Sequence, residues 1–422
     1  LITKGIAKCR GLHWPPRQRL GHSSLMALKR YKEIDAVRGF ALFGVLLVNL
    51  YAFGADSLAW DGSLDQLFWQ IKHVLFESKF WGLFSLLFGI SFWLQIRSAL
   101  KPWHLLRRYC ALMAFGCCHA LLFEGDILML YAEFGVLLLL FHKCSTRILV
   151  VAAATFLMVF PIGHYWVPDR GFSDQASNIN QAQQWLEEDR EDGLYSAGSL
   201  SDIVAEHASY IPEIPWQDYQ WPDSGWAVFA LFLLGFCFAR EDGLQRFGQR
   251  PRVVSKASFW MFLFGLGAMS IEAWMTHAVG YRIFGETVSG GVTQFVGDLV
   301  FLLGTLSLTA AWFCLMYSFA TRCSHWWIVR ALEAVGRMSL TTYLSQTLIF
   351  TTLFYGYGLG WAYWLGPAAV TGVALVIFMC QILFAKFWFS VFVIGPFEWL
   401  WRLATDLRLP ALRVAPRRGP NC

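Results

Sequence analysis

Long apolar runs dominate this chain of 422 residues and restrict it to folds that a membrane can hold. Hydrophobic residues make up 56% of it and charged residues only 15%, whereas a soluble domain carries about 25% charged residues. A run of about 20 apolar residues can cross the hydrocarbon core as a helix, which satisfies its own backbone hydrogen bonds there. The sequence therefore predicts an all-α, polytopic membrane helical bundle.

Ten apolar segments approach this length, and we predict about ten transmembrane helices. They lie near residues 37–53, 79–96, 108–124, 126–142, 147–165, 225–240, 255–275, 294–319, 340–357 and 365–388. Segments 64–78 and 325–337 are amphipathic, with apolar residues on one helix face only, and this pattern predicts interfacial helices rather than spans. A tight turn at Gly125-Asp126 is expected to join the third and fourth spans.

Basic residues cluster in alternate loops, and this pattern predicts the orientation. They lie before the first span, after the second, after the sixth and in the tail, at Lys29, Arg30, Lys32, Arg97, Lys101, Arg107, Arg108, Arg240, Arg246, Arg250, Arg252, Lys256, Arg402, Arg408, Arg413, Arg417 and Arg418. Since cytoplasmic loops carry the excess of Lys and Arg, both termini are predicted to be cytoplasmic. The net charge of +5 thus reflects membrane topology and does not indicate nucleic-acid binding.

The chain is expected to form one membrane domain with short flanking segments. Residues 1–28 lack the apolar core of a signal peptide, and we expect them to be disordered or an overextended N-terminus. Residues 29–405 form the predicted transmembrane domain, with an acidic outer loop at 166–223 that could hold short helices, for example around 180–192. Residues 406–422 form a basic cytoplasmic tail.

The cysteines do not indicate a disulfide framework or a metal centre. The chain has ten of them, but none lies in the long outer loop, where oxidation would favour a disulfide. No Cys-x-x-Cys pair is present, so the spacing of a structural zinc site is missing. We predict no bound metal.

An acid, a base and an amide follow one another along the first apolar segment. Asp35 and Arg38 are three residues apart and share a helix face, and Asn49 follows further along the same segment. Ionisable groups in a membrane are costly unless they are paired or functional. The two groups either only pair and anchor the helix at the membrane surface, or they belong to a functional site.

The densest titratable group within apolar sequence surrounds the third and fourth spans. His119 is followed by Glu124, Asp126 and Tyr131. An imidazole suits proton transfer near neutral pH, and intramembrane ionisable residues are functional candidates by default. The alternative is a buried His119 that only hydrogen-bonds a neighbouring helix.

Paired arginines precede His119 on the same predicted helix. Arg108 and His119 are eleven residues apart, or about 16 Å along a helix at 1.5 Å per residue. An acyl-coenzyme A fits this spacing, with its phosphates at Arg107, Arg108 or Arg38, because Arg binds phosphate through two parallel hydrogen bonds. Alternatively, Arg107 and Arg108 are ordinary residues of a cytoplasmic loop.

Several segments together resemble the YeiB family of bacterial inner-membrane proteins. They are IDAVRGFALFGVLLVN at 34–49, ESKFWGLFSLLFG at 77–89, RRYCALMAFGCCHALLFEGDILMLYAEFG at 107–135, GRMSLTTYLSQ at 336–346, FYGYGLG at 354–360 and GPFEWLWR at 395–402. The resemblance covers nearly the whole chain from 30 to 405 and implies a bacterial inner-membrane protein. It does not imply a substrate.

A weaker resemblance extends to a superfamily of transmembrane acyltransferases. The Asp-x-x-Arg-Gly opening at Asp35 is similar to that of heparan-α-glucosaminide N-acetyltransferase and of bacterial polysaccharide O-acyltransferases. This resemblance implies transfer of an acyl group from cytoplasmic coenzyme A to a glycan. The polysaccharide enzymes carry a histidine where this chain has Asn49, and the stretch from Ala52 to Gly62 that would hold a histidine in the heparan enzyme has none.

The resulting hypothesis is an acyltransferase that uses acyl-CoA, such as acetyl-CoA, and a glycan or small-molecule acceptor. His119 removes a proton from the acceptor, oriented by Glu124 or Asp126, and Asn49 stabilises the tetrahedral oxygen. Asp35 orients Arg38, which with Arg107 and Arg108 binds the donor. Tyr131 and Gln346 are candidates for substrate binding.

Two other functions fit parts of the same pattern. Buried carboxylates and histidine also serve proton-coupled transporters and flippases. A structural or sensory protein would use the acidic outer loop as its binding face. For each of these functions the protein is expected to be surrounded by membrane lipid. A homo-oligomer is compatible with the sequence.

Overall fold

The computed structural model describes residues 30–53, 60, 62–97, 102–166, 193–212, 225–278, 292–407 and 409–413. In these ranges the regular secondary structure is helical, as the sequence predicts. The segment 1–28, the helix expected around 180–192 and the tail beyond 413 lie outside the described residues.

Helices follow one another along the chain with short connections. The first half contains α1 (Lys32–Tyr51), α2 (Ser63–Leu75), α3 (Lys79–Arg97), α4 (Pro102–Ala120), α5 (Leu128–Phe141), α6 (Thr146–Trp166), α7 (Leu194–Ala197) and α8 (Leu200–Tyr210). The second half contains α9 (Gly225–Arg240), α10 (Gly243–Gln249), α11 (Pro251–Ala278), α12 (Val292–Arg322), α13 (Trp327–Arg337), α14 (Ser339–Phe354), α15 (Pro367–Val391) and α16 (Pro396–Asp406).

Six helical segments of the described chain are long and apolar enough to cross a membrane. They are Lys32–Tyr51, Ser63–Arg97, Thr146–Gly163, Pro251–Met275, Phe295–Arg322 and Pro367–Val391, and the second of these runs through the break between α2 and α3. Helices α5 and α9 are apolar but shorter. The protein is therefore a helical membrane protein, and the count of ten spans stays a prediction.

The connection between α4 and α5 differs from the tight turn that the sequence suggests. Helix α4 ends at Ala120, and residues 121–127 form an irregular loop. The Asp126 carboxylate explains this arrangement, because its Oδ2 accepts the N–H of Met129 at 2.7 Å and thereby satisfies a free donor in the first turn of α5. Glu124 and Asp126 thus lie in a loop that folds back and not on the helix of His119.

The two predicted interfacial segments form separate short helices. Helix α2 ends at Leu75, and Ser78 adopts a positive φ of 61° before α3 begins. Helix α13 covers 327–337 and buries an apolar face that includes Val329, Leu332 and Val335. Since a helix of this length is too short to span a bilayer, the interfacial placement remains the prediction for both.

Helix α1 occupies the centre of the bundle. It packs against α3, α12, α13, α14 and α15. The backbones of α1 and α13 approach each other closely where the two helices cross. A Cβ on Gly336 would lie 1.8 Å from the Asp35 carbonyl oxygen, and a Cβ on Gly39 would lie 2.1 Å from the Leu332 carbonyl oxygen. Small residues permit such an approach between membrane helices.

The starts of α1 and α4 and the ends of α3 and α9 form one end of the bundle, which we call the basic end and define by Arg38, Arg97, Arg108 and Arg240. Helices α3 and α9 run in parallel, because Phe88 stacks on Phe232 and Phe92 meets Phe236. Arg38 Nη2 donates to Ser91 Oγ near the end of α3 at 2.9 Å. The opposite end carries the 121–127 loop and the start of α15.

Helix α14 is held at its first turn by the motif that begins with Gly395 and Pro396. Glu398 Oε1 accepts the N–H groups of Leu340 and Thr341 at 2.6 and 3.1 Å, and its Oε2 accepts the Thr341 hydroxyl at 2.6 Å. A carboxylate at a helix N-terminus also complements the helix dipole. Burial nevertheless raises the pKa of Glu398 above its ordinary value.

Substitution of Gly336 by alanine should destabilise the bundle. The added methyl would overlap the Asp35 carbonyl oxygen of α1, and overpacking of this kind costs about 1–3 kcal/mol. The thermal unfolding midpoint in detergent should fall. Gly372→Ala is the matched control, because nothing lies within 4 Å of its Cβ position. Equal midpoints for Gly336→Ala and the wild type would contradict the close crossing.

The two ends of the bundle should face opposite sides of the membrane. Ala208 is exposed on α8, at the end opposite the basic end, and Gln249 is exposed at the end of α10. In a variant without the native cysteines, Ala208→Cys should react with a membrane-impermeant maleimide in intact spheroplasts. Gln249→Cys should react only after lysis. The reverse pattern would overturn the predicted orientation.

Candidate functional site

The His119 imidazole lies in the last turn of α4 and is enclosed by protein. Its Nδ1 lies 2.7 Å from Asp126 Oδ1, and the two side chains are only 1% and 0% exposed. The distance is that of an ion pair, but the direction of the ring N–H falls outside hydrogen-bond geometry, and neither atom has another partner among the described residues. The proximity of two otherwise unpartnered buried atoms indicates a direct His–Asp pair.

The other ring nitrogen of His119 faces a hydroxyl group on α14. His119 Nε2 lies 2.6 Å from Thr347 Oγ1, and Thr347 is 1% exposed. The Tyr343 ring packs beside the imidazole with centroids 4.8 Å apart, and Phe123 meets its edge at 6.0 Å. Carboxylate, imidazole and hydroxyl are thus successive neighbours in one buried group, and an arrangement of this kind is recognised by geometry and not by order in the chain.

Gly116 lets the 121–127 loop reach this position. A Cβ there would lie 2.7 Å from the Met129 nitrogen and 3.0 Å from Asp126 Oδ2. The loop and the first turn of α5 therefore lie directly on α4. Without this contact Asp126 could not cap α5 and face His119 at the same time.

Glu124, the other carboxylate predicted to orient His119, belongs to a different group. Its Oε1 accepts the Tyr195 hydroxyl at 2.7 Å and lies 3.6 Å from His207 Nε2. Its side chain is 59% exposed, whereas that of His207 is 1% exposed. Burial and the Glu124 carboxylate raise the pKa of Tyr195. The structure thus brings Asp126 to His119 and places Glu124 at the surface, against α7 and α8.

Arg38 and Asp35 form the predicted pair and also tie three helices together. Arg38 Nη1 donates to Asp35 Oδ1 at 2.9 Å and lies 3.5 Å from the Gly336 carbonyl oxygen. Its second terminal nitrogen donates to Ser91. Both terminal nitrogens of the Arg38 guanidinium are engaged in these contacts. The geometry therefore agrees with the interpretation that Asp35 and Arg38 pair and anchor the helix, while a role of Arg38 in binding a donor stays a prediction.

Arg107 and Arg108 stack on tryptophan rings. The Arg107 Cζ lies 4.5 Å from the Trp103 ring centre, and the Arg108 Cζ lies 4.1 Å from that of Trp401. Neither Nε has a hydrogen-bond partner among the described residues. Stacking covers the face of a guanidinium but leaves its N–H edge for an anion. Arg402 adds a second positive charge in electrostatic range of Arg108.

The remaining predicted residues lie on three different helices. Asn49 is half-buried on α1, two turns after Leu42 on the same helix face, and the Leu42 carbonyl oxygen accepts Gln346 Nε2 of α14 at 3.4 Å. No hydrogen bond of its side chain is formed within the described chain. Its role stays a prediction.

Gln346 and Tyr131 are both buried and hydrogen-bonded to neighbouring helices. Gln346 Nε2 donates to Gln381 Oε1 at 3.0 Å, while its Oε1 has no partner in the described chain. The Tyr131 hydroxyl is shared between Ser85 Oγ at 2.7 Å and the Trp81 carbonyl oxygen at 3.1 Å. Gln346 therefore keeps an open acceptor next to Thr347, and Tyr131 holds α5 against α3.

A second buried ionic cluster lies at the break between α2 and α3. Glu77 Oε2 is 3.2 Å from Lys72 Nζ and 2.7 Å from His73 Nδ1. Lys79 Nζ donates to the His73 carbonyl oxygen at 3.0 Å and experiences the charge of Glu272. Lys72 and Lys79 are only 2% and 1% exposed. Sequence reasoning placed these residues at a span boundary and did not anticipate that both lysines are buried.

Thr347, Tyr195 and His207 are the site residues that sequence reasoning missed. Thr347 is one of many hydroxyls in apolar helices, and its distance from His119 along the chain hides their contact. The only signal was the spacing of Tyr343 and Thr347, which puts both on one face of α14. Among the described residues, no group of three His, Cys, Asp or Glu side chains could hold a metal ion.

A family model described as "Protein of unknown function (DUF418)" matches residues 238–408. "Uncharacterized protein YxaH" of Bacillus subtilis is 29% identical over 412 residues, covering 90% of this chain and 95% of that protein. "Uncharacterized protein YeiB" of Escherichia coli is 27% identical over 409 residues, covering 90% and 97%.

A third relative has the same extent. The "uncharacterized 39.9 kDa protein in amylase 3'region" of Bacillus acidopullulyticus is 24% identical, covering 89% of this chain and 94% of its own. No solved structure matches the chain. The matches run over nearly the full length of each relative, so they are not confined to one motif. The chain is therefore similar over nearly its full length to YeiB and YxaH, and its residues 238–408 match the DUF418 family model.

Proposed function

We propose that this protein is an acyltransferase of the bacterial inner membrane. It would move an acyl group, such as acetyl, from cytoplasmic acyl-CoA to a hydroxyl or amine of a glycan or small molecule on the other side. The observation that carries the proposal is the buried His119, which lies between the Asp126 carboxylate and a hydroxyl group. General base catalysis of acyl transfer needs an imidazole held in this way.

Each part of the His119 pair would have a separate task. Asp126, which lies 2.7 Å from Nδ1, would stabilise the imidazolium that forms when Nε2 takes a proton. Nε2 faces α14, so the group that it deprotonates must lie on that side. Exclusion of water strengthens both electrostatic effects, and the enclosure by Tyr343 and Phe123 supports such exclusion.

The donor would bind between the basic end and His119. Arg108 and His119 lie on the same helix α4, so about 16 Å separate them at 1.5 Å per residue. Arg107 and Arg108 would bind the coenzyme A phosphates with the edges that the tryptophans leave open, and Arg402 would add positive charge. Arg38, oriented by Asp35, would form the neighbouring wall of this site.

Two amides would complete the site around the thioester. Asn49 lies on the face of α1 that contacts α14, where its N–H could stabilise the tetrahedral oxygen. Gln346 has a buried carbonyl oxygen without a partner in the described chain, and it would accept a hydrogen bond from the acceptor. Tyr131 would act by holding α5, since its hydroxyl is engaged by α3.

Removal of Arg107 and Arg108 should weaken donor binding. Each hydrogen bond to a charged group contributes about 1.5–3 kcal/mol, so replacement of both by alanine should raise the Kd for coenzyme A at least about tenfold. Isothermal titration of detergent-solubilised protein measures this. Arg246→Ala is the control, because it removes an exposed positive charge from α10. Wild-type protein that does not bind millimolar coenzyme A would overturn the proposed donor.

Removal of the His119 imidazole should stop turnover. A general base contributes about 10²–10⁴-fold to rate, so His119→Ala should release coenzyme A from acetyl-CoA at least 100-fold more slowly in the presence of a cell-envelope extract as acceptor. Asp126→Asn should also slow release. His142→Ala is the control and should stay within a few-fold, because His142 Nδ1 contacts only the Leu139 carbonyl oxygen at the basic end. A fully active His119→Ala enzyme would move the base elsewhere, with Glu124 the next candidate.

A proton-coupled transporter is the second candidate, and the Glu77 cluster favours it. Buried Lys72 and Lys79 beside Glu77 and Glu272 have no task in acyl transfer, while ionisable chains serve proton relays in transporters. Proteoliposomes with a pH gradient distinguish the two functions. Proton uptake into the vesicles that depends on Glu77 but not on His119 would favour transport. Release of coenzyme A that depends on His119 alone would favour acyl transfer.

A further inference from the structure

The Thr347 hydroxyl is oriented differently from the two threonine hydroxyls that follow it on α14. Thr351 and Thr352, one turn further along α14, donate to the carbonyl oxygens four residues before them, Thr347 O and Leu348 O. Thr321 and Ser91 do the same in α12 and α3. This bond to the preceding turn is the ordinary way in which such a hydroxyl is satisfied inside a helix.

Thr347 Oγ1 makes its contact across the bundle, with His119 Nε2 at 2.6 Å. Because the imidazole on its other side contacts Asp126, the hydroxyl stands where a nucleophile stands in a hydroxyl–histidine–carboxylate triad.

We propose that Thr347 carries the acyl group as a covalent ester between donor and acceptor. This inference rests on the proposed acyl transfer and assigns its intermediate. His119, Asp126 and Thr347 are all nearly fully buried, and a covalent ester would keep the acyl group at this site between departure of the donor and arrival of the acceptor.

The first half of the reaction transfers the acyl group to the protein. His119 Nε2 takes the proton of the Thr347 hydroxyl while Oγ1 attacks the thioester carbonyl carbon. The tetrahedral intermediate collapses, the C–S bond breaks, and the imidazolium returns the proton to the leaving sulfur of coenzyme A. An acyl ester on Thr347 and free coenzyme A result.

The second half repeats these steps with the acceptor. His119 takes the proton of the acceptor hydroxyl or amine, and the acceptor attacks the ester carbonyl carbon. The C–O bond to Thr347 breaks, and the proton returns to Oγ1. Tyr343 lies one turn before Thr347 on the same helix face and packs beside His119, while its hydroxyl is held by the backbone of the 121–127 loop at Gly125 and Ile127.

The test is to trap this ester without an acceptor. Purified protein in detergent is incubated separately with acetyl-CoA, octanoyl-CoA and p-nitrophenyl acetate, then acid-quenched and digested for mass spectrometry. We expect an acyl group on the peptide that contains Thr347 from at least one donor. The p-nitrophenyl ester needs no coenzyme A site, so it tests the nucleophile even if the proposed donor is wrong.

Matched variants identify the residue and exclude unfolding. Thr347→Ala should lose the label at least 100-fold, while Thr347→Ser, which restores a hydroxyl, should regain it. Thr351→Ala removes another buried threonine of α14 and should label like the wild type. His119→Ala should label at least 100-fold more slowly. Thermal melting and coenzyme A titration of every variant show that the fold and the donor site persist.

The outcomes separate this inference from the proposed function. Coenzyme A release in the presence of the envelope extract, with no ester on Thr347 and full activity of Thr347→Ala, would overturn the inference and leave the acyltransferase standing. A label on His119 or on a lysine that persists in Thr347→Ala would also overturn it. Absence of both coenzyme A binding and label from all three donors would overturn both proposals.

Discussion

The Asp126 carboxylate is the group on which the geometry of the candidate site depends. A carboxylate with no solvent exposure is costly in an apolar bundle unless both of its oxygens find partners. One oxygen caps α5 and the other faces His119, so the start of one helix and the imidazole at the end of another are fixed to each other. Gly116 makes this arrangement possible by removing the side chain that would stand between the loop and α4.

The helix that carries Thr347 is positioned with comparable rigidity. Glu398 caps the first turn of α14 with both carboxylate oxygens, and Gln346 joins the middle of that helix to α15. A functional group is held accurately when the elements that carry it are locked by packing and hydrogen bonds. The contact between Thr347 and His119 is thus the meeting point of two independently fixed helices.

Two buried clusters of ionisable side chains in the described part of the chain suggest different chemistry. The His119 group has one acid, one imidazole and one hydroxyl as successive neighbours, which suits a proton that moves within a bond-making step. The Glu77 cluster pairs two buried lysines with carboxylates around a helix break, which suits charge compensation or movement of protons along a path. Their separate locations mean that substitutions can test one without touching the other.

The amino-acid sequence by itself determined the class of fold and the identity of several key residues. Apolar runs become helices in a membrane because a helix satisfies its own backbone hydrogen bonds there, and each of the ten predicted segments is helical over most of its length. His119 and Asp126 stood out because ionisable groups are rare in such sequence. The pairing of Asp35 with Arg38 followed from helical spacing alone.

Tertiary structure decided which of these groups meet. Glu124 and Asp126 are equivalent in sequence terms, but the loop after α4 turns one inward to His119 and the other outward to Tyr195. Thr347 was invisible beforehand, because a threonine in an apolar helix carries no signal until a partner from a distant part of the chain lies against it. Periodicity identifies the face of a helix, and only the packing of helices shows what that face touches.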